Sequence, residues 1–248
     1  MVDKPHTLHV VGVDESVDIE DMINLSNRYS IRYNLVMSGD KSTDCSLAFL
    51  QEMLEASLRQ KYKIDEEDAY NENYLKIDLE IRDERMLQFL EDEYLGFEEH
   101  LTGINTVVFN LCNVPDIRTD RNRLSELNSL TREWKNAYRQ YAMRRAIQAP
   151  VWWDRLDCHF IYSPGLTRDR IVPQALLIVN DTLSTWDLSF SMGFTSENYR
   201  TEFDRLRGHM NRSYVGVRVE NGVKDSTGAF SLGMCEKLAT TIWGPVTI

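Results

Sequence analysis

Cysteine is scarce in this chain: Cys45, Cys112, Cys158 and Cys235 are the only four in 248 residues, tens of positions apart. That spacing argues against a disulfide framework and against a structural zinc site, and reads as a reduced, cytosolic-type protein. Glycine is also thin, at 12 residues, and no cluster has the lysine and spacing of a phosphate-cradling loop, so a P-loop or dinucleotide fold is not expected. No apolar run approaches the roughly 18 residues of a membrane span, and the polar start carries no apolar signal core. Basic residues are outnumbered, 28 Lys and Arg against 39 Asp and Glu, for a formal charge of −11. Nucleic acid and anionic membranes are therefore poor partners.

What remains is ordinary globular composition, 42% hydrophobic and 27% charged. No repeat, low-complexity segment or linker divides it, so residues 1–248 read as a single domain. His6–Val13, Ser30–Met37, Tyr74–Ile81 and Ile104–Val114 read as strands, the third being the clearest through its alternation of Leu75, Ile77, Leu79 and Ile81 with Lys76, Asp78 and Glu80. Val17–Tyr29, Thr43–Tyr62 and Glu84–Leu101 carry helical spacing, with Thr43 or Asp44 as cap of the second. A long helix is predicted over Asp120–Gln148, with Trp134, Tyr138 and Tyr141 in its inward stripe.

Beyond Pro150 the pattern changes. Val151–Tyr162, Ile171–Val179 and Leu183–Phe194 follow one another as strands separated by turn residues, which predicts an antiparallel meander. A short helix over Glu197–Met210, a strand over Ser213–Val219 and a short helix near Met234–Ala239 complete the reading. Consecutive strands tip the fold class to α+β, a largely antiparallel sheet or sandwich with peripheral helices; a parallel α/β sheet is the alternative.

Catalytic chemistry is hard to find. Cys158 and His159 are adjacent, so on a strand they point to opposite faces, and no nucleophile elbow is present. Asp14, Asp78 and Glu80 could serve a metal-dependent nuclease or hydrolase, two of them sharing a strand face. The preferred reading is that Lys76, Asp78 and Glu80 form the wet face of an amphipathic strand.

Charge layout is more telling. Residues 65–99 hold fourteen acids and three bases, whereas residues 118–145 hold eight bases and three acids. The basic stretch with its aromatics could clamp single-stranded RNA, but the aromatics are better read as a buried stripe. Complementary patches also suit docking between copies through Arg–carboxylate pairs. Arg139, Arg144 and Arg145 are the candidate basic contacts, and Asp65, Glu66, Glu67 and Asp68 the acidic ones.

The order SIRYNLVMSG, TDCSLAFLQEMLEASLRQ, DEEDAYNENYLKIDLEI, INTVVFNLCNVPDIR and TWDLSFSMGFTSENYR, from about Ser30 to Met210, resembles the polyhedrins of cypoviruses. The resemblance implies a β-sandwich with outer helices, and trimers packed in a crystalline lattice that shields virions and dissolves in alkali. It further implies bound nucleoside triphosphate as a structural ligand, and no catalysis. On that reading the partners are further copies of the chain and virus particles, and the location is the occlusion bodies of a host-cell cytoplasm. A metal-dependent nuclease and a single-stranded RNA-binding viral protein stand as the rivals.

Overall fold

The computed structural model describes residues 4–38, 45–64, 74–82, 102–115, 119–137, 143–150, 158–163, 188–207 and 215–246. Eight strands run in chain order: β1 (Thr7–Val11), β2 (Ile31–Met37), β3 (Lys76–Arg82), β4 (Thr106–Asn110), β5 (Arg144–Ala149), β6 (His159–Tyr162), β7 (Leu188–Ser191) and β8 (Val215–Val219). Each pairs in parallel with the next, and β8 pairs in parallel with β1, so the sheet closes on itself.

Helices fall between strands, as parallel crossovers require. Among the described residues they are α1 (Ile19–Arg28), α2 (Leu47–Ile64), α3 (Arg121–Ala137), α4 (Tyr199–Arg207) and α5 (Leu232–Trp243). Their starts are set by short polar side chains that accept orphan amide protons. Asp18 takes those of Glu20 and Asp21, Ser46 that of Phe49, Asp120 those of Asn122 and Arg123, and Ser231 that of Met234. The architecture is an eight-stranded α/β barrel of the triosephosphate-isomerase type.

The antiparallel α+β sandwich expected from sequence is thus incorrect. Consecutive strand signals over residues 151–194 suggested a meander, yet β6 and β7 pair in parallel; the residues between them lie outside the described ones. The long helix over Asp120–Gln148 is also corrected. The described helix covers Arg121–Ala137, and Arg144–Ala149 is not helix but the strand β5, seated between β4 and β6. The predicted helix at Glu84–Leu101 and the predicted strand at Ile171–Val179 lie outside the described residues.

Alternation decides what each strand face meets. Leu8, Val10, Tyr33, Leu35, Ile77, Leu79, Val107, Phe109, Phe160, Phe190, Val215 and Val217 point outward and form one core with the helices. Trp134 of α3 belongs to it, edge to face with Phe109 at 5.3 Å. Inward-facing apolar groups are few, with Val108, Ala146 and Ile161 forming a small separate cluster. Much of the remaining lumen is polar.

Two glycines test this packing in opposite directions. A Cβ on Gly222, just past β8, would collide with the carbonyl oxygen of Phe194 in the loop after β7. Gly222→Ala should therefore lower stability by about 1–3 kcal/mol through overpacking. Gly233, near the start of α5, would meet nothing closer than Ser231 Oγ at 3.8 Å. Gly233→Ala should raise stability by about 0.4–1 kcal/mol. Urea denaturation of both variants is the check.

Candidate active site at the C-terminal mouth of the barrel

The lumen is filled by ion pairs stacked along the barrel axis. In the half nearer the strand N-termini, Arg32 Nη1 donates to Asp78 Oδ1 (2.9 Å) and to Thr106 Oγ1 (2.8 Å). His9 Nδ1 lies 3.4 Å from Asp78 Oδ2, close enough to feel its charge but not directed as a hydrogen bond. His9 packs edge-on against His159 at 5.6 Å, and His159 Nε2 shares a 2.9 Å hydrogen bond with Ser189 Oγ. Gly216 makes room for these rings: a Cβ there would strike Ser189 Oγ and stand 3.1 Å from His9 Nε2.

Burial sets the titration of this layer. Burial lowers the His9 pKa and outweighs the nearby Asp78 carboxylate. Burial, reinforced by His9 and Arg32, pushes His159 well below the usual histidine range. Burial opposes ionisation of Asp78, but Arg32, helped by His9 and Thr106, wins and holds it down to about 2.

A second layer sits at the C-terminal ends of the strands. Fully buried Glu80 accepts from Arg218 Nη2, from Arg82 Nε (2.7 Å) and from Asn110 Nδ2 (2.6 Å). Arg218 also donates to Asn34 Oδ1 (2.9 Å), and burial pushes its pKa down to about 10 against the pull of Glu220 and Asp78. Arg82 reaches on to Glu220, with Nη1 and Nη2 at 3.3 and 3.2 Å from its two oxygens. Glu220 is 40% exposed at its side chain; burial of the rest opposes its charge, but Arg82 and Lys224 hold its pKa low. Cys112 and Gln148 continue the ring beyond Asn110, through the amide of Cys112 on Asn110 Oδ1 (3.0 Å) and Gln148 Nε2 on Cys112 Sγ (3.8 Å).

The structure relocates the residues singled out from sequence. Asp78 and Glu80 are at 0% exposure inside the barrel, so the wet-face reading is wrong. They do not form a metal centre with Asp14 either: both are neutralised by guanidiniums, and Asp14 accepts from Ser16 instead. Among the described residues no group of three His, Cys, Asp or Glu side chains is arranged to hold a metal ion. Arg145 is 7% exposed and turned outward under α3, where Nη1 donates to Asn128 and to Thr131 Oγ1 (2.8 Å). It is an internal tie, not an assembly contact. Arg144 is exposed at the start of β5; Arg139, Asp65, Glu66, Glu67 and Asp68 lie outside the described residues.

Sequence reasoning missed His9, Arg32, Arg82, Asn110, Gln148, Arg218 and Glu220. Their common signal is polar residues at every second position of successive strands; it goes unused when each strand is read singly and Gln148 is assigned to the helix over Asp120–Gln148.

No family model matches the chain, and no curated protein matches its sequence. Solved structures do match its fold. Phosphoribosyl anthranilate isomerase in complex with reduced 1-(o-carboxyphenylamino)-1-deoxyribulose 5-phosphate aligns with a TM-score of 0.58 at 13% identity, over 96% of this chain and 99% of that one. The tryptophan synthase alpha chain of Legionella pneumophila subsp. pneumophila gives 0.56 at 10% identity, over 98% and 94%. A structure of monomers generated from the dimeric phosphoribosylanthranilate isomerase of Thermotoga maritima gives 0.55 at 13%, over 96% and 99%. At such identities the likeness establishes a shared barrel.

It also removes the polyhedrin resemblance, and with it the lattice role, the viral occlusion bodies as location and the expectation of a non-catalytic protein, all of which rested on that resemblance; the matched structures named above are of enzymes. Neither the nuclease nor the RNA-binding alternative gains support. No described helix is long and apolar enough to cross a membrane.

The lumen predicts an acid response. His9 and His159 have depressed pKa values when folded, so below about 6.5 the unfolded chain binds more protons and stability falls with pH. Asp78 adds a second loss as pH drops from about 4 towards its folded value. Denaturant midpoints should already decline between pH 7 and 5, and His159→Gln should make that limb shallower, leaving the His9 contribution and the loss below pH 4.

Proposed function

We propose that this protein is an enzyme that binds a small phosphate ester across the C-terminal mouth of the barrel and moves a proton on it with Glu220. The observation that carries the reading is the convergence of Glu80, Arg82, Arg218 and Glu220 at the ends of β3 and β8. Active sites of such barrels sit at this end, and the loops after the seventh and eighth strands often hold phosphate.

Local backbone geometry supports the phosphate. Gly222, after β8, packs directly on the Phe194 carbonyl, so the backbones of the loops after β7 and β8 meet there, and Gly193, after β7, has φ +66° with open space where a Cβ would stand. Lys224 brings a cation to the same corner. Its Nζ is 3.8 Å from Glu220, and its Cε lies 3.8 Å from where a Cβ on Gly12, at the end of β1, would stand. The matched isomerase bound to a deoxyribulose 5-phosphate derivative lends the substrate class.

Within the mouth the two carboxylates differ in access. Glu80 is sealed and takes three donors, so it positions Arg82 and Arg218. Glu220 is the one a substrate reaches, and Arg82 keeps it ionised and aimed, ready to accept a proton. Displacement of Arg82 towards a bound anion would raise the basicity of Glu220 at the moment it is needed.

Self-association is part of the same proposal in its coarse form, without trimer or lattice, since one matched isomerase is described as dimeric. Light scattering on the purified chain checks it.

Ribulose 5-phosphate and inorganic phosphate should each stabilise the protein in calorimetry. In D2O, the ketose phosphate should acquire solvent deuterium beside its carbonyl. Glu220→Gln should slow that exchange by about 10²–10⁴-fold while retaining binding. Absence of binding by any phosphate ester at millimolar concentration would end the reading.

A further inference from the structure

Gln148 faces the lumen near the C-terminal end of β5 and is 6% exposed. Its Nε2 donates to Cys112 Sγ, whose own proton is directed to the Ser163 carbonyl at 3.7 Å. That arrangement fixes the amide: reversing it would turn Oε1 towards a sulfur and leave the two amide protons unused. In the fixed orientation Gln148 Oε1 is buried without a hydrogen-bond partner.

A buried carbonyl acceptor left unpaired is costly, and neighbours are usually arranged to avoid it. Among the described residues, the polar neighbours of Gln148 on this rim are engaged: Asn110 with Glu80, Cys112 with Asn110 and Ser163, Glu80 with both guanidiniums. Gln148 Oε1 is the exception within this set. In the strand order β5 stands across the barrel from β1, and the proposed phosphate corner lies at β1 and β8. On the proposed binding mode, a molecule anchored at that corner and extending across the mouth would reach the β5 side.

We infer that Gln148 Oε1 accepts a hydrogen bond from a hydroxyl or amine at the end of the bound molecule remote from its phosphate, so that this residue selects polyhydroxylated or amino-bearing phosphate esters over plain alkyl ones. The inference rests on the proposed phosphate-ester site at the mouth. It adds a requirement for a donor at the far end, and names the residue that reads it. Cys112 holds the amide in place, a positioning role that its thiol fulfils as acceptor from Nε2.

The test compares ribulose 5-phosphate with butyl phosphate and inorganic phosphate by titration calorimetry. The unaltered protein should bind ribulose 5-phosphate about tenfold or more tighter than butyl phosphate. Gln148→Met, close in volume but without the acceptor, should erase that ratio while leaving butyl phosphate and inorganic phosphate unchanged. Gln148→Glu, which keeps an acceptor, should preserve the ratio even if its charge weakens both esters. An unchanged ratio in Gln148→Met overturns the inference, as does an equal loss for all three probes in a folded variant. Failure of the unaltered protein to bind any of them would instead overturn the mouth as a phosphate-ester site, and this inference with it.

Discussion

Charge neutralisation inside a closed barrel is the constraint on which this structure turns. Three guanidiniums (Arg32, Arg82, Arg218) meet three carboxylates (Asp78, Glu80, Glu220) in the lumen. Removing charges from water costs several kcal/mol each, and their attraction compensates only when nearly every lone pair and proton is used. The lumen meets much of that condition: Glu80 takes three donors, Arg218 spans Glu80 and Asn34, and Arg32 spans Asp78 and Thr106, while Asp78 Oδ2, the His9 nitrogens and Gln148 Oε1 are left without a hydrogen bond. Barrels of this type usually fill the interior with branched apolar side chains. Here that role shrinks to Val108, Ala146 and Ile161, with Val11 and Val36 buried beside the polar groups. Stability must then come chiefly from the outer shell, where inner strands meet helices over one continuous apolar core.

The same constraint separates the two ends of the lumen. Towards the strand N-termini, burial keeps His9 and His159 neutral and Arg32 matches Asp78, so the layer carries little net charge. Towards the C-termini, Glu220 and Arg82 are partly open to solvent while Glu80 and Arg218 are not. A sealed ion pair beneath an accessible one holds the upper groups in fixed directions. Preorganised charge of this kind is what proton transfer requires, since no dipole need reorient as charge develops.

Much of the secondary structure was legible in the residues. The strands around Ile31–Met37, Lys76–Arg82 and Thr106–Asn110, and the helices at Ile19–Arg28 and Leu47–Ile64, stand close to where periodicity places them. The topology was hidden by one ambiguity. Strands of a parallel sheet normally read as continuous apolar runs because both faces are buried. In β3 the lumen face is Lys76, Asp78, Glu80 and Arg82, so the strand alternates as if one side met water. Alternation reports polarity, not exposure. The Arg144–Ala149 strand failed for a different reason: its arginines continued the charge pattern of the helix before it, and six residues are too few for a period of two to outweigh that. The site was illegible for a third. Arg82, Asn110, Gln148 and Arg218 come from four strands spread over the chain, and no spacing within one segment reveals that closure of the barrel brings them to one mouth.

Unpaired buried atoms then distinguish a site from a core. His9 and Gln148 both leave nitrogen or oxygen atoms without a hydrogen bond. His9 is buried, and beside it a methyl group on Gly216 would already strike Ser189. Its neutral state lowers the cost of remaining unpaired. Gln148 stands at the rim, beside the loops that follow β4 and β6, with its amide locked by Cys112. One orphan is a consequence of packing rings and charges into a lumen of fixed radius; the other stands near the C-terminal end of β5, at the end of the barrel where the proposed site lies. Position relative to the strand C-termini, rather than the degree of burial or the size of a pKa shift, is what assigns function to the second and structure to the first.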